Sequence, residues 1–473
     1  LFRSMAMAFP ESSFIGIEIS ERQAKDGQNI IKALGLKNVE IRQQNILDLN
    51  KDLGEFDYII THGVYSWVQS HIQDKILQVI EDCLAPQGVA CVSYNTFPGW
   101  HFRGMIRDMV LYHTRLLRSP QEKTTQARAL IDFLYQSVPT ENNAHSLMLN
   151  AELKILRESS DSYILHEYFE ETNTPTYFHE FMERASSHGL QFLSEGEFAT
   201  MITSNLPAAI QETLARISND ILKTEQYLDF VHNRYFRMTL LCRKDVQLNR
   251  NLTNQSIMPL YSGFAGKPKN ENVDLNAGKV ESFGLADGRN VDSDVPVVKA
   301  ALLHLSGIWP EVLSMDDLFK VACDKLSKNS IAVDAGQIEN MKAVLFETIL
   351  RAYAANVMLL RSQAFPFVRE LSKKPKSSPL ARLQAEQQLA KVTNVLHEIV
   401  NTDTLANHML VLMDGSRSKE QVLDEVVKLA QNGTLVIRRD NNVLTDATEI
   451  KTALQPEIES RFVQIRNAAL LVG

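Results

Sequence analysis

Short apolar runs alternate with helically spaced segments in the first hundred residues, and each run ends on polar residues. Phe14–Ser20 (FIGIEIS) reads as a strand ending on the carboxylate of Glu18, after which Ser20 and Glu21 open a helix. Val39–Arg42 runs into Gln43, Gln44, Asn45 and Ile46, and Phe56–Thr61 runs into His62 and Gly63. Asp74–Leu84 sets Ile76, Leu77, Ile80 and Leu84 at helical spacing, which predicts a crossover helix packed on a sheet. Gly88–Tyr94 is the next strand, and it leads into Asn95, Thr96, Phe97, Pro98, Gly99 and Trp100. This alternation predicts an α/β fold with a parallel sheet, whose ligands bind at the carboxyl ends of the strands. Glu18, Asn45, His62 and Asn95 are then expected along one rim.

Beyond Trp100 the pattern turns helical, through Met105–Leu117 and Thr124–Tyr135, and strands return at Gly189–Leu193 and Phe236–Cys242. These two are expected to close the sheet at its edge. The reading gives a first domain over 1–245 with a helical insertion at about 102–174. A linker plus helical middle domain comes next, over 246–375. A mostly helical carboxyl-terminal domain over 376–473 includes the short strand Gly433–Arg438 and has a winged-helix-like pattern. The Lys/Pro/Ser segment Ser372–Pro379 marks the last boundary.

At 473 residues the chain is long enough for two or three cores, and its 44% apolar and 22% charged content is that of an ordinary globular protein. A net charge of −8 supplies no global attraction to nucleic acid or to an anionic membrane. Cys83, Cys91, Cys242 and Cys323 lack metal-ligand spacing and read as thiols in a reducing compartment. No apolar run reaches the length of a membrane span, so no membrane insertion is expected, and cytoplasmic is the default location.

A series of strings then carries a family resemblance: FIGIEIS, FDYIITHGVYSW, GVACVSYNTFPGWHFRGMIRDM, ILHEYFEETNTPTYFHEF, HGLQFLSE and DFVHNRYFRMTLLCR. Together they resemble class I S-adenosylmethionine-dependent methyltransferases with a methyltransferase regulatory domain. Within that group they look most like the rickettsial lysine methyltransferases that modify an outer-membrane protein. VPVVKAALLHLSG and SPLARLQAEQQLAKVTNVLHEIV resemble the two downstream domains of the same proteins. The family pattern opens with a strand and a glycine-rich turn. This chain opens instead at Leu1–Ala8, which reads as the middle of the next helix, with no glycine before Gly16. The expectation is that such an opening has been lost, leaving nothing onto which its residues carry.

The resemblance implies S-adenosyl-L-methionine as cofactor and a Rossmann-like methyltransferase sheet lacking its first strand. It places Glu18 and Ile19 at the ribose, Asn45 and Ile46 at the adenine, and His62 beside the cofactor. Methyl transfer to a lysine needs an in-line, desolvated site, in which aromatic faces hold a cation. Tyr65, Trp67, Asn95 and Trp100 are the expected acceptor-site residues, with Tyr94 and Phe97 beside them. Each position also has an ordinary use: Glu18 suits a helix cap, Asn45 and Ile46 a turn, and the aromatic residues suit packing of the insertion on the sheet. His166, Glu167 and Tyr168 read as a lid or a buried cluster. The expected partner is a lysine-bearing protein, on the surface or outer membrane, and not nucleic acid. The oligomeric state is open, a dimer being compatible. Two other functions stay open: a catalytically inactive remnant serving as a binding module, and a methyltransferase for a small molecule.

Overall fold

The computed structural model describes residues 2–139, 143–439 and 442–473 of the chain. It divides into two compact units, one of Leu1–Gln44 with Asn251–Gly473 and the other of Asn45–Arg250.

The first unit begins with helix α1 (Phe2–Ala8), strand β1 (Phe14–Glu18), helix α2 (Glu21–Leu34) and strand β2 (Val39–Gln43). Ser20 caps α2 by accepting the Gln23 N–H, and Gly35 ends it in the left-handed conformation (φ 67°), donating to the carbonyls of Ile31 and Lys32. β1 and β2 pair in parallel from Phe14↔Val39 to Glu18↔Gln43. Asn38 Nδ2 ties the opening segment down by donating to the carbonyls of Ala6, Phe9 and Ser12 at 2.9–3.0 Å. Ala6, Ile31 and Val39 form a small core here, with Phe2, Phe14, Leu36 and Ile41 packed on it. Further along this unit, helices Pro296–Ile308, Met315–Lys328 and Ile338–Ala354 share a larger core with Phe264, just past a short strand, and Phe283 within another. A last core gathers helices Pro379–Glu386, Thr404–Leu412, Lys419–Gln431 and Ala447–Asn467.

The second unit holds strand β3 (Phe56–Thr61), helix α3 (Ser70–Cys83), strand β4 (Leu84–Asn95) and the helices α4 (Trp100–Thr114), α5 (Pro120–Ser137), α6 (Ala144–Glu158) and α7 (Asp161–Phe169). Helix α8 (Phe178–Ser187), strand β5 (Leu190–Glu195), helices α9 (Ala208–Ile217) and α10 (Ile221–His232), and strand β6 (Phe236–Arg243) complete it. The sheet order is β3-β4-β6-β5, with β3 parallel to β4 and both β4/β6 and β5/β6 antiparallel. Ile76, Leu77 and Ile80 of α3 and Phe178, Phe181 and Met182 of α8 pack with Ala90, Val92 and Tyr94 of β4 in one core. Helices α4 to α7 have a core of their own around Ile106, Ile131, Leu149 and Ile164.

Within the first unit β1 pairs with β2, and within the second the order is β3-β4-β6-β5. Among the described residues β3 pairs only with β4, and Tyr58 is 74% and Ile60 52% exposed. The last two strands pair antiparallel and close the sheet at its edge as expected, β5 outermost and β6 between β4 and β5.

What holds β6 there is charge. Arg237 is fully buried on β6 and bonds to Glu195 of β5 at 2.7 Å, and to Glu225 at 3.1 Å and Asp229 at 2.8 Å on α10. Arg234 adds a contact to Asp229 at 3.2 Å. Three carboxylates thus face two guanidinium groups in a dry interior, and burial, aided by the negative charge of Glu195, pushes Glu225 up to about 7. Arg237→Met is expected to destabilise the chain by about 3–5 kcal/mol in urea denaturation, since it strands buried carboxylates without a counter-charge. The raised Glu225 makes the native state bind a proton that the unfolded chain, at its ordinary 4.5, has released. Its contribution therefore favours the fold at low pH and is lost as pH rises from about 4.5 to about 7, by up to about 3 kcal/mol. Glu225→Gln should flatten that part of a stability-against-pH curve relative to the unsubstituted chain.

Candidate functional site

In the first unit, β1 delivers Glu18 at its carboxyl end. One carboxylate oxygen accepts the Ser20 N–H at 2.8 Å, which fixes the side chain beside the cap of α2. Ile19 comes next and is exposed, and the Gln43 amide donates to the Ile19 carbonyl at 3.3 Å. A fixed carboxylate at a parallel strand's carboxyl end can accept from vicinal hydroxyl groups, so the acceptor chemistry here fits the ribose of a nucleoside cofactor.

The other predicted residues lie in the second unit. Asn45 accepts the Leu47 N–H at 3.0 Å and so caps a single helical turn, while Ile46 packs against the core beneath the sheet. His62, exposed just past β3, meets the ring of Phe236 edge-on at 6.0 Å. Gly63, in the left-handed region at φ 71°, donates to the Ser93 hydroxyl at 2.8 Å. The turn Tyr65–Trp67 is pinned from several sides. Ser66 Oγ accepts the Asn95 N–H and its carbonyl accepts the Thr174 N–H, both at 2.8 Å, and Gln73 donates to the Tyr65 carbonyl at 2.8 Å.

This arrangement separates the expected acceptor residues. Tyr65 is wholly buried among Tyr94 and Phe181, with ring centroids 6.1 and 5.3 Å away, and burial pushes its phenol up to about 12. Tyr65 therefore packs into the core, whereas Trp67, two positions on, stays half-buried. Asn95 is buried and donates to Asn173 Oδ1 at 3.3 Å. Trp67, half-buried, lies edge-on to Trp100 at 6.2 Å and 4.4 Å from the ring of His166, so α7 supplies a third ring to the pair. Trp100 is itself buried at the start of α4, and one turn later Arg103 sits over its ring at 5.6 Å.

The turn that brings Trp100 to this place requires glycine. Gly99 donates to the Arg234 carbonyl at 2.9 Å, and a Cβ at Gly99 would stand 2.3 Å from the Asn233 carbonyl oxygen. The Arg237 cluster and the meeting of Arg103 with Glu152 lie outside the sequence expectations, whereas Glu167 falls in the expected lid or buried cluster with His166 and Tyr168. Both assemble residues far apart in sequence, and the one available signal was charged residues in otherwise apolar strands and helix faces.

Comparison with known proteins places this geometry. A methyltransferase domain model matches residues 2–150, a predicted methyltransferase regulatory domain matches 160–243, and the PKMT C-terminal winged helix domain matches 373–470. The uncharacterized protein RP789 of Rickettsia prowazekii is 32% identical over 99% of this chain and 84% of its own length. The structure of PKMT2 from Rickettsia typhi in complex with AdoHcy is 31% identical, with a TM-score of 0.87, covering 99% of this chain and 91% of that one. No helix among the described residues is long and apolar enough to cross a membrane.

Gly99→Ala should cost about 1–3 kcal/mol, read as a shift of the urea midpoint, because the obstructing atoms are backbone and cannot rotate away. With the fold, the domain order and the near full-length likeness in agreement, the chain belongs to the class I S-adenosylmethionine-dependent methyltransferases with a regulatory domain, the family of rickettsial PKMT2.

Proposed function

We propose that this methyltransferase transfers the methyl group of S-adenosylmethionine to lysine side chains of a protein, with a surface or outer-membrane protein as acceptor. The observation that carries the reading is the likeness to PKMT2 along nearly the whole chain, including the PKMT winged helix domain over 373–470. The strings YNTFPGW and NRYFRMTLLC, through which the chain resembles rickettsial lysine methyltransferases, meet in space: Asn95 pairs with Phe236, and Gly99 donates to Arg234.

When bound, the cofactor supplies a methyl group already activated on a sulfonium. The lysine ammonium must first give a proton to solvent; its neutral nitrogen would then take the methyl carbon as the carbon–sulfur bond breaks, leaving a methylammonium and S-adenosylhomocysteine. The protein's task is to hold the amine in line and out of water. In this reading Glu18 and Ile19 hold the ribose, Asn45 and Ile46 serve the adenine, and His62 stands beside the cofactor. Trp67 and Trp100 enclose the lysine's alkyl stem and charged end, with Asn95 beside them. An indole face attracts a methylated ammonium as well as a protonated one, so the enclosure serves both substrate and product.

Isothermal titration with S-adenosylhomocysteine, together with transfer of a labelled methyl group to lysine in mixed bacterial proteins, tests the reading. Glu18→Ala is expected to weaken binding about 10- to 100-fold, the loss of hydrogen bonds to a charged group. Unchanged affinity in that variant would remove Glu18 from the cofactor site. Label on a small molecule or nucleic acid and never on lysine would overturn the acceptor class.

A further inference from the structure

The helices α4, α6 and α7 bring two buried carboxylates to one guanidinium. Glu152 Oε2 lies 3.7 Å from Arg103 Nε, and Glu167 Oε2 lies 3.7 Å from Arg103 Nη1. Both separations exceed hydrogen-bond length, and the Tyr163 hydroxyl is also at its outer limit, 3.5 Å from Arg103 Nη1. Glu152 Oε1 and Glu167 Oε2 are buried without a hydrogen-bond partner among the described residues. The Glu152 side chain is only 9% exposed. A carboxylate kept this dry ordinarily has its lone pairs filled, because leaving them empty costs about 1–3 kcal/mol or more each. Two acids share one guanidinium, with the His166 imidazole the other basic group near Glu167, and among the described residues the pair is short of N–H donors.

The aromatic set is continuous with this deficit. Arg103 packs over Trp100 at 5.6 Å and Tyr235 at 4.7 Å, and Trp67 reaches from Trp100 to His166, the chain neighbour of Glu167. The missing species is therefore a cation with several N–H donors and an apolar stem. A primary ammonium on an alkyl chain meets that description, whereas a hydroxyl, a thiol or a phosphate-bearing acceptor does not. We propose that Glu152 and Glu167 receive the ammonium of the acceptor side chain, beside Arg103 and next to the Trp67–Trp100 pair. This rests on the reading of the protein as a methyltransferase acting on lysine. The carboxylates fix the charged end from one side while the indoles line it and the stem, which selects lysine from other nucleophilic side chains. Burial pushes both acids up from their ordinary range, consistent with carboxylates that lack full compensation from Arg103.

Two of the three tryptophans of the chain, Trp67 and Trp100, stand at this place and report on it. The probe is a short glycine-flanked lysine peptide, titrated against intrinsic fluorescence beside the same peptide acetylated on Nε. The expected result is saturable binding of the free-amine peptide only, weakened at least tenfold by Glu152→Gln and by Glu167→Gln. S-adenosylhomocysteine affinity should stay unchanged in both variants. Equal binding of the acetylated peptide, or unweakened binding by both variants, would overturn the proposal. Should Glu152→Gln unfold by circular dichroism, Glu167→Gln and the acetylated peptide decide the matter. Methyl transfer to lysine with unchanged KM in both variants would sink this inference and leave the function standing. Carboxylate-dependent peptide binding without any lysine methylation would do the reverse.

Discussion

The ion cluster around Arg237 is the constraint on which the second unit depends. A guanidinium with no solvent exposure is tenable only when every face is met, and here carboxylates from β5 and α10 meet it, with the ring of Phe178 stacked 4.0 Å away. Tyr94 of β4 joins through Thr239, whose hydroxyl is 3.0 Å from the phenol. β6 is thereby locked between β4 and β5, and α10 is fixed against the same sheet. Hydrophobic residues alone would not specify this order, since an apolar strand satisfies an edge as readily as a central position. A buried charge network of this kind contributes little net stability but penalises any arrangement that separates its members.

The functional region inherits its geometry from that lock. The end of β4 is held to the start of β6 through Asn95↔Phe236 and through the Thr96 N–H donated to the Tyr235 carbonyl at 2.9 Å. The turn at Gly99 lies against Asn233 and Arg234, immediately before β6 and next to the Arg237 cluster. Trp100 and Arg103 are then presented by α4 at fixed angles. The Tyr65–Trp67 turn is tied to the same strand end through Ser66, whose carbonyl also accepts the Thr174 N–H, while Thr176 bonds to Asn95 and Phe97 at and just past the end of β4. A loop-built site is made rigid here by backbone contacts rather than by packing, which is why glycine and small polar residues matter at its edges.

Much of the local structure was legible in the chain. Strand and helix positions in the first hundred residues arise from apolar runs and helical spacing, and β1, β2 and β3 begin where the pattern places them. The two later strands, Leu190–Glu195 and Phe236–Arg243, also stand out as apolar and β-branched or aromatic runs between helices. That these two close the sheet together was legible, whereas the place of β6 beside β4 was not, because hydrogen bonding between strands carries no signature in either strand alone. Tyr65 illustrates the same limit within the site. A tyrosine beside a tryptophan after a strand reads equally well as site or core, and only the packing of Phe181 from α8 settles which.

By itself, the sequence determined the α/β character of its opening, the helical character of the stretch after Trp100, the acidic balance and the order of family strings that point to S-adenosylmethionine chemistry. These are properties of periodicity and local composition, in which each residue is read with its near neighbours. The tertiary structure decided the place of β6 between β4 and β5, the burial of Tyr65, and the meeting of Arg103 with Glu152 and Glu167. Each of those depends on desolvation and on charge balance among residues separated by tens of positions. Burial turns an unremarkable glutamate into a costly one only when distant elements close over it.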